Sequence, residues 1–484
     1  MPLILGTNSI KDTGFDVANS CRFNDDDSAA MSKSSTTLTN DKKFTISAWV
    51  KRGHINGSDE FPIFGHISDS DNANKNCQIG FYNDALYMAY VDGGSVTVNK
   101  VTNALYRDNA AWYHVMVAVD STQGTAANRN RFYVNGTEVT SFATDTNSGS
   151  DETFLATSCT ITVGKYSNTS GTASYFDGYL AEVVYIDGLQ LTPSSFGEFD
   201  EDSPTIWKPI NVSGLTFGNN GFYLDFEASA NLGNDANGGT DLTEANLAAV
   251  DQATDTPTNS FATMNPLIAP TSNASTFSEG NCKIVTSTGG NFGAVSTHGA
   301  ASGKWYFEVK FTAESASNMG NINLCSSENG RESARTNQHS NQFPSEAYPS
   351  FTYEYPGEVY KDSGDSSQGN YGSFAVGDII IMALDLDNSK AYFGVNGTWG
   401  NSSDPTSGAT GTGAISVTAA DFWHLQVGDR NSSNTATYET NFGGCPAFTI
   451  SSGNADGNGY GNFEYAVPSG YLALCTKNLG SDGG

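Results

Sequence analysis

Along most of the chain, short runs of alternating apolar and polar residues are separated by clusters of Gly, Asn, Asp and Ser. In residues 44–50, with the sequence FTISAWV, every second residue from Phe44 onward is apolar. Successive side chains of a β-strand point to opposite faces, so a period of two predicts a strand. Similar runs occupy residues 79–82, 85–91, 112–119, 131–134, 160–163, 179–186, 304–311, 378–386 and 390–395. No amphipathic helix of comparable strength is found, and the pattern predicts an all-β chain.

Two Asn-Gly pairs mark the sharpest turns. Asn135-Gly136 follows a strand-like run in the first half of the chain, and Asn396-Gly397 follows one in the second half. Both residue types tolerate positive φ, which the type I′ turn of a two-residue β-hairpin requires. We therefore predict a hairpin at each pair.

The strand-like runs form two blocks, separated by a stretch with several prolines and little sustained alternation. We predict a β-sandwich over residues 1–199, a Pro-containing connector over 200–270 and a second β-sandwich over 271–476. The last residues, 477–484, are rich in Gly and are expected to form a flexible tail.

The charge balance excludes some classes of partner. The 484 residues include 52 Asp+Glu against 23 Lys+Arg, a formal net charge of −29. A nucleic-acid-binding protein needs a basic surface, which this composition does not provide. The apolar run 379–384 is far shorter than the ~20 residues of a membrane helix, and no basic segment precedes the apolar residues at the start. We expect no nucleic-acid partner, no membrane insertion and no secretory signal.

The cysteines are widely spaced. There are seven, an odd number, and the closest two, Cys445 and Cys475, lie 30 positions apart. Metal and redox pairs of the Cys-x-x-Cys type are therefore absent. Disulfides in an oxidising medium remain an alternative, but small apolar fillers of strand faces in a reducing cytosol are the favoured interpretation.

The first block resembles the laminin-G-like, concanavalin-type sandwich domains over most of residues 12–197. The matching segments are 44–50, 112–115 (WYHV), 132–136 (FYVNG), 176–183 (FDGYLAEV) and 191–192. The resemblance implies an antiparallel, jelly-roll type β-sandwich. Ala181 stands where many relatives carry an acid before Glu-Val, which weakens the transfer of the family's calcium site to this chain.

The second block resembles a SPRY (B30.2-type) domain. The matching segments are 303–309 (GKWYFEV), 377–380 (GDII), 383–388 (ALDLDN), 395–397 (VNG), 441–443 (NFG) and 468–471 (PSGY). Together the two resemblances imply two concanavalin-like antiparallel β-sandwiches joined by the connector.

The whole chain is similar to large structural proteins of tailed bacteriophages. The segments that carry this similarity are 1–8, 196–199, 206–209, 221–226, 255–259 and 265–267. It implies a virion or tail-fibre protein that contacts other virion proteins and recognises a host-surface glycan or protein. Such a chain is assembled in the host cytoplasm and becomes extracellular on lysis. Tail fibres also imply a homo-oligomer, with a trimer favoured by analogy.

Catalytic motifs are missing from the sequence. Hydrolysis of a sugar bond on a concanavalin-type sandwich needs carboxylates at close spacing, commonly E-x-D-x-E, and no such triplet occurs. The nearest pair, Asp225 and Glu227, lies in the connector, where a solvated strand face explains it better. The six histidines show no metal spacing. We predict a non-enzymatic adhesin with no catalytic residues, and keep two alternatives, a capsid or tail decoration protein and a polysaccharide depolymerase.

Two groups of residues are candidates for binding. Calcium is the one cofactor left open, because Asp25 and Asp27 in one acidic loop and Asp69 and Asp71 in another could supply hard oxygen ligands. Aromatic side chains among polar neighbours suit contact with sugars or proteins. The candidates of this kind are Tyr348, Phe351 and Tyr360, together with Trp399 after the second Asn-Gly turn.

Overall fold

The computed structural model describes residues 14–55, 59–67, 75–154, 159–167, 173–338, 348–362 and 366–482. The chain forms two compact units, Asp12–Thr258 and, for the main part of the second, Asn259–Gly484. Strands in antiparallel sheets dominate both units. The prediction of an all-β fold with two concanavalin-like sandwiches is confirmed. No helix among the described residues is long and apolar enough to cross a membrane.

The strands of the first unit are numbered in chain order. They are β1 (Ser20–Phe23), β2 (Ala30–Ser34), β3 (Lys43–Arg52), β4 (Glu60–Ile67), β5 (Lys75–Tyr82), β6 (Ala85–Asp92), β7 (Ser95–Leu105), β8 (Trp112–Asp120), β9 (Asn130–Val134), β10 (Thr137–Glu138), β11 (Phe142–Thr146), β12 (Thr160–Val163), β13 (Lys165–Ser167), β14 (Ala173–Tyr175), β15 (Gly178–Asp187), β16 (Gly197–Phe199), β17 (Trp207–Pro209), β18 (Phe222–Leu224), β19 (Thr243–Ala245) and β20 (Gln252–Ala253). Sheet 1 has the order β10-β9-β8-β3-β15-β1-β20, with β18 also paired to β15. Sheet 2 has the order β11-β7-β6-β5-β4-β12-β2-β19.

Strand β3 lies near the middle of sheet 1 and is covered on both faces. On one face Phe44 packs against Phe64 of sheet 2, with ring centroids 6.4 Å apart. On the other face Ser47 shares a hydrogen bond of 2.8 Å with His114, whose ring also lies 5.2 Å from that of Trp49. The alternating side chains of residues 44–50 therefore face two different layers. One set points into the core between the sheets, and the other points into a second packed layer on the outside of sheet 1.

Residues 200–258, predicted as part of a connector, pack within the first unit. Strand β18 pairs with β15, β19 with β2 and β20 with β1. Phe222 and Leu224 on β18 are fully buried. Strands of two or three residues are too short to display an alternating pattern, and their partners lie far away in the sequence. The alternation of a strand could therefore not be recognised in this segment.

In the described residues of the second unit there are fifteen strands and two α-helices, again numbered in chain order. They are β21 (Thr276–Ser278), β22 (Lys283–Val285), β23 (Phe292–Val295), β24 (Lys304–Glu314), β25 (Gly320–Ser326), α1 (Ser327–Thr336), β26 (Ser350–Glu354), β27 (Glu358–Lys361), β28 (Ser367–Asn370), β29 (Ile379–Asp385), β30 (Lys390–Val395), β31 (Thr398–Trp399), β32 (Ile415–Ser416), β33 (Trp423–Asp429), β34 (Ala436–Asn441), β35 (Leu472–Ala473) and α2 (Thr476–Asp482). Sheet 3 has the order β21-β22-β34-β24-β29-β30-β31, with β32 paired to β30 and β35 paired in parallel to β24. Sheet 4 has the order β23-β33-β25-β26-β27-β28.

Aromatic rings from both sheets fill the core of the second unit. Phe351 of sheet 4 stacks on Trp423 at 5.3 Å and meets Phe393 of sheet 3 at 6.2 Å. Strand β29 is buried along its whole length. Its residues Ile380 and Met382 join this core, whereas Ile381 faces a further apolar cluster on the outside of sheet 3. The apolar run in this strand is continuous because both of its faces are covered.

Both predicted hairpins have the left-handed backbone that the sequence implied. Asn135 and Gly136 have φ of 46° and 73°, and they connect β9 to β10. Asn396 and Gly397 have φ of 50° and 77°, and they connect β30 to β31. Positive φ at both central residues is what a type I′ turn requires.

Helix α1 was not anticipated from the sequence. Its start is capped by Ser326, whose side chain accepts a hydrogen bond from the backbone of Asn329 at 3.2 Å. Its end is marked by Asn337 in the left-handed conformation. The buried face consists of small or polar residues such as Gly330 and Ala334, so the segment lacks the apolar period of 3.6 that announces a helix.

The C-terminal segment predicted as a Gly-rich tail begins as helix α2 in the described residues. Asn478 is fully buried and donates a hydrogen bond of 2.7 Å to Asp456. Leu479 packs against the core of the second unit. Asn478 and Leu479, together with hydrogen bonds of Thr476 and Lys477 to Ser260 and Asn259, anchor this helix, and none of them gives a periodic signal in the sequence.

All seven cysteines are buried and unbridged. Burial alone raises the pKa of the Cys77 thiol, and burial also raises that of Cys325. These thiols are therefore not poised for reaction, in agreement with the interpretation as apolar fillers of strand faces.

Candidate functional site

An acidic rim lies where three neighbouring strands of sheet 1 end. The sheet order β3-β15-β1 and the register place Arg52, Gly178 and Phe23 side by side. The turn after β1, the residues after β3 and the residue before β15 therefore meet. This juxtaposition brings together Asp25, His54 and Asp177, which are far apart in the sequence.

The rim combines an exposed ion pair with a buried carboxyl group. His54 Nδ1 lies 3.8 Å from Asp25 Oδ2, and both side chains are partly exposed. The neighbouring Asp25 carboxylate raises the pKa of His54. Asp177 is buried, and burial, with a further contribution from the nearby Asp25 charge, raises its pKa to about 7. Gly53 leaves room for this carboxyl group, because a Cβ there would lie 1.9 Å from Asp177 Oδ1.

The predicted calcium ligands do not form a metal site in the described residues. Asp27 Oδ2 accepts a hydrogen bond of 2.9 Å from Asn24, and Asp25 faces His54. Asp69 and Asp71 lie outside the described residues. In the part of the chain that the structure describes, no group of three or more His, Cys, Asp or Glu residues is arranged to hold a metal ion.

A cleft of about 430 Å³ lies on the first unit, next to β2 and β12 of sheet 2. We call it the hydroxyl cleft. Its lining consists of Ala30, Met31, Ser32, Ile67, Thr160, Thr162, Lys165, Ser167 and Ala245. Ser32 and Thr162 are direct cross-strand neighbours, as are Thr160 and Ile67. Hydroxyl groups of residues distant in the sequence are thus presented side by side.

Gly65 allows one wall of this cleft to approach the sheet. The residue sits beside Thr162 in the register, and a Cβ at Gly65 would lie 2.4 Å from Thr162 Oγ1 and 2.7 Å from Lys165 O. The absent side chain lets the segment leading into β13 cross close to the sheet. Thr162 then donates a hydrogen bond of 2.6 Å to Lys165 O, which fixes the start of β13.

Lys165 supplies the positive charge of the hydroxyl cleft. Its ammonium group lies 5.5 Å from the centre of the Tyr175 ring on the paired strand β14. The lining therefore offers the hydroxyl groups of Ser32, Thr160 and Ser167, an ammonium group that donates, and apolar surface from Ile67. Such an arrangement can hold a polyhydroxylated ligand, and the ammonium group favours one that carries a carboxylate. None of the lining residues was singled out by the sequence, because none stands in a recognisable local motif and strand pairing alone brings them together.

The aromatic candidates of the second unit occupy different environments. Phe351 is fully buried in the core, since its position on β26 alternates inward. Tyr348 and Tyr360 are half-buried near the start of β26 and on β27. Trp399 is also half-buried, but it lies on sheet 3, 6.4 Å from the ring of Tyr306. The structure does not bring Trp399 together with the other three.

A smaller cleft of about 210 Å³ lies at the start of α1. Ser327 and Pro349 are among its lining residues, and Asn329 below it donates a hydrogen bond of 2.9 Å to Tyr348 O. Ser327 Oγ lies 2.8 Å from Nε2 of the buried His424. Burial lowers the pKa of His424 to about 4, so this imidazole is a weak base.

A family model described as "Concanavalin A-like lectin/glucanases superfamily" matches residues 23–193. The match lies within the first unit. This match confirms the resemblance predicted for the first block; it covers less than half of the chain. No curated protein sequence matches.

Solved structures that are similar to this chain include three proteins of low sequence identity. The SPRY domain of human HERC1 is 19% identical, and the alignment covers 38% of this chain and 99% of that one, with a TM-score of 0.28. Domains LG4-5 of the mouse laminin alpha1 chain are 10% identical over 94% of this chain and 88% of that one, with a TM-score of 0.31. The SAP-like pentraxin of Limulus polyphemus is 16% identical over 37% and 80%, with a TM-score of 0.27.

Proposed function

We propose that this chain is a non-enzymatic adhesin of a tailed bacteriophage that binds a host-surface glycan through the hydroxyl cleft of its first unit. The observation that carries the proposal is the cleft itself, with its cross-strand hydroxyl groups and Lys165. Its volume of about 430 Å³ falls within the range of small-molecule sites, roughly 300–1,000 Å³. The match of the same unit to the concanavalin A-like lectin/glucanases superfamily supports contact with a sugar.

The absence of a carboxylate pair at the cleft supports a non-enzymatic role. Glycoside hydrolysis uses an acid and a base or nucleophile, normally two carboxyl groups on either side of the sugar bond. The described residues that line the hydroxyl cleft include no Asp or Glu. A sugar held there would be bound without a general acid beside its glycosidic oxygen.

The assignment to a virion rests on the sequence segments that resemble phage structural proteins, such as residues 206–209 and 221–226. On this proposal the chain assembles with other virion proteins in the host cytoplasm and acts outside the cell after lysis. A homo-oligomer, with a trimer as the favoured form, would present several clefts at once. Simultaneous occupation of linked sites strengthens binding without new contacts.

The test is a glycan array with the purified full chain, once with calcium and once with EDTA, followed by calorimetry on the bound sugars. We expect Lys165→Gln to weaken binding of an acidic sugar about tenfold, because one charge-assisted hydrogen bond is lost. Lys42→Gln is the matched control, since Lys42 pairs with Asp151 on the surface and lies outside the lining. Binding that is equal in both variants would contradict the assignment of the site.

Two other results would favour the alternatives. Failure to bind any glycan or host cell in either cation condition, together with binding to purified virion subunits, would favour a decoration protein. Release of reducing ends from host polysaccharide would identify a depolymerase and overturn the proposal.

A further inference from the structure

The charge of Lys165 is not neutralised by a carboxylate within the described part of the chain. Six other lysines described in the first unit do form ion pairs with Asp or Glu, namely Lys42, Lys43, Lys51, Lys75, Lys100 and Lys208. Acidic residues are in large excess, with 52 Asp+Glu against 23 Lys+Arg, and yet the described neighbour of the Lys165 ammonium group is an aromatic ring. Its charge is therefore available to a ligand in the hydroxyl cleft.

The hairpin of β13 and β14, which carries Lys165, has two distinct faces. Its register pairs Lys165 with Tyr175 and Tyr166 with Ser174. Ser174 Oγ donates a hydrogen bond of 3.4 Å to Glu60 of β4, and Tyr166 is buried, so this face of the hairpin lies on sheet 2. Successive residues of a strand point to opposite faces. Lys165 and Tyr175 therefore share the other face, from which Lys165 lines the hydroxyl cleft.

The ring of Tyr175 holds the ammonium group of Lys165 in place. Lys165 Nζ lies 5.5 Å from the ring centre, within the roughly 6 Å over which the negative face of an aromatic ring attracts a cation. Lysine is a rotamer-rich side chain, and ordering it before a ligand arrives lowers the entropy cost of binding. The ring covers one side of the ammonium group only, so the N–H groups on the other side can donate to a carboxylate.

We propose that Tyr175 is the positioning residue for Lys165, and that this pair makes the hydroxyl cleft selective for sugars that carry a carboxylate. The inference rests on the proposed glycan-binding function of the cleft and names the substrate class within it. The sugar carboxylate binds the ammonium group on the side away from the ring. The lining hydroxyl groups, such as those of Ser32 and Thr160, bind hydroxyl groups of the same sugar.

The experiment is a double-mutant cycle in the full chain, measured by calorimetry. The probes are oligosaccharides that end in glucuronic, galacturonic or sialic acid, each used as the free acid and as the methyl ester. Tyr175→Leu should weaken binding of the free acids about three- to fivefold, the value of one cation–π contact at a partly exposed site. Tyr175→Phe keeps the ring and should bind like the unmodified chain. In a Lys165→Gln background, Tyr175→Leu should have no further effect, because the ring then has no cation to position.

Two controls separate this role from a merely structural one. Tyr460→Leu removes a similar ring in the second unit, 5.8 Å from Lys477 Nζ, and should leave sugar binding unchanged. The methyl esters carry no carboxylate, so Tyr175→Leu should bind them as the unmodified chain does. Thermal unfolding checks that Tyr175→Leu keeps the fold. If it does not, Tyr175→Thr takes its place, because threonine favours strands and has no ring.

The outcomes distinguish failure of this inference from failure of the proposed function. If Lys165→Gln weakens binding of the free acids and Tyr175→Leu does not, the role of Tyr175 is wrong while the cleft remains the glycan site. An equal loss for free acids and methyl esters in Tyr175→Leu would also overturn it, since the ring would then support only the hairpin. Equal binding of both sugar forms by the unmodified chain would refute the selectivity for carboxylates. If the unmodified chain binds no sugar, the proposed function and this inference are both wrong.

Discussion

Lys51 Nζ lies 2.6 Å from Asp255 Oδ2, and both side chains are only 1% exposed. The two residues are 204 positions apart. Trp112 donates a second hydrogen bond of 2.9 Å to the other oxygen of the same carboxylate. This buried ion pair fastens the last segment of the first unit onto β3.

Removing one partner should destabilise the first unit strongly. In Asp255→Ala the ammonium group of Lys51 stays buried without its counter-charge, and we expect a loss of about 3–5 kcal/mol in the free energy of unfolding. Urea denaturation monitored by tryptophan fluorescence measures this. Glu138→Ala is the control. Its partner is Arg131 at the surface, and exposed pairs contribute under about 1 kcal/mol. Similar losses in both variants would contradict the expectation.

Gly65→Ala should disturb the hydroxyl cleft. The added Cβ would lie 2.7 Å from Lys165 O, which is backbone and cannot move without shifting β13. We expect weaker glycan binding and a lower melting temperature, measured by calorimetry and thermal unfolding. At Gly124 an added Cβ meets nothing within 4 Å, so Gly124→Ala serves as control. Normal glycan binding by Gly65→Ala would argue that the cleft is not the binding site.

Glu308→Gln should destabilise the second unit. The buried carboxylate accepts hydrogen bonds from Tyr306 Oη, Asn441 Nδ2 and the backbone N–H groups of Glu464 and Tyr465. An amide in its place would turn an N–H group toward one of these donors, and we expect a loss of about 2–4 kcal/mol. Thermal unfolding should show no comparable change for Glu332→Gln on the surface of α1. A melting temperature equal to that of the unmodified chain would refute the expectation.

Glu182 should make the stability of the first unit depend on pH. Burial raises the pKa of its carboxyl group to about 8, although Tyr223 donates a hydrogen bond of 2.7 Å to it. The folded form therefore keeps a proton that the unfolded chain has lost between pH 4.5 and about 8, and the free energy of unfolding falls as pH rises through this window. One such group contributes at most about 1.4 kcal/mol per pH unit.

The variant Glu182→Gln cannot ionise, so its stability relative to the unmodified chain should increase as pH rises through the window. Urea midpoints at several pH values measure this difference. Glu227→Gln, at an exposed neighbouring position, should run parallel to the unmodified chain. Parallel curves for Glu182→Gln as well would mean that Glu182 is ionised in the fold.

The hydroxyl cleft shows why the candidate site could not be identified from the sequence. Ser32 and Thr162 become neighbours through the pairing of β2 with β12, and Thr160 and Ile67 become neighbours through the pairing of β12 with β4. Neither register is encoded by a local motif. The sequence pointed instead to aromatic side chains, of which Phe351 lies in the core because its strand alternates inward.

The all-β class, the long strands such as β3 and the Asn-Gly hairpins followed from the sequence by itself, because alternation and positive φ are properties of adjacent residues. The short strands of residues 200–258, the polar helix α1 and the Lys51–Asp255 ion pair were decided only by the tertiary structure. Their stability comes from contacts with residues far away in the chain, which leave no periodic signal in the segments themselves.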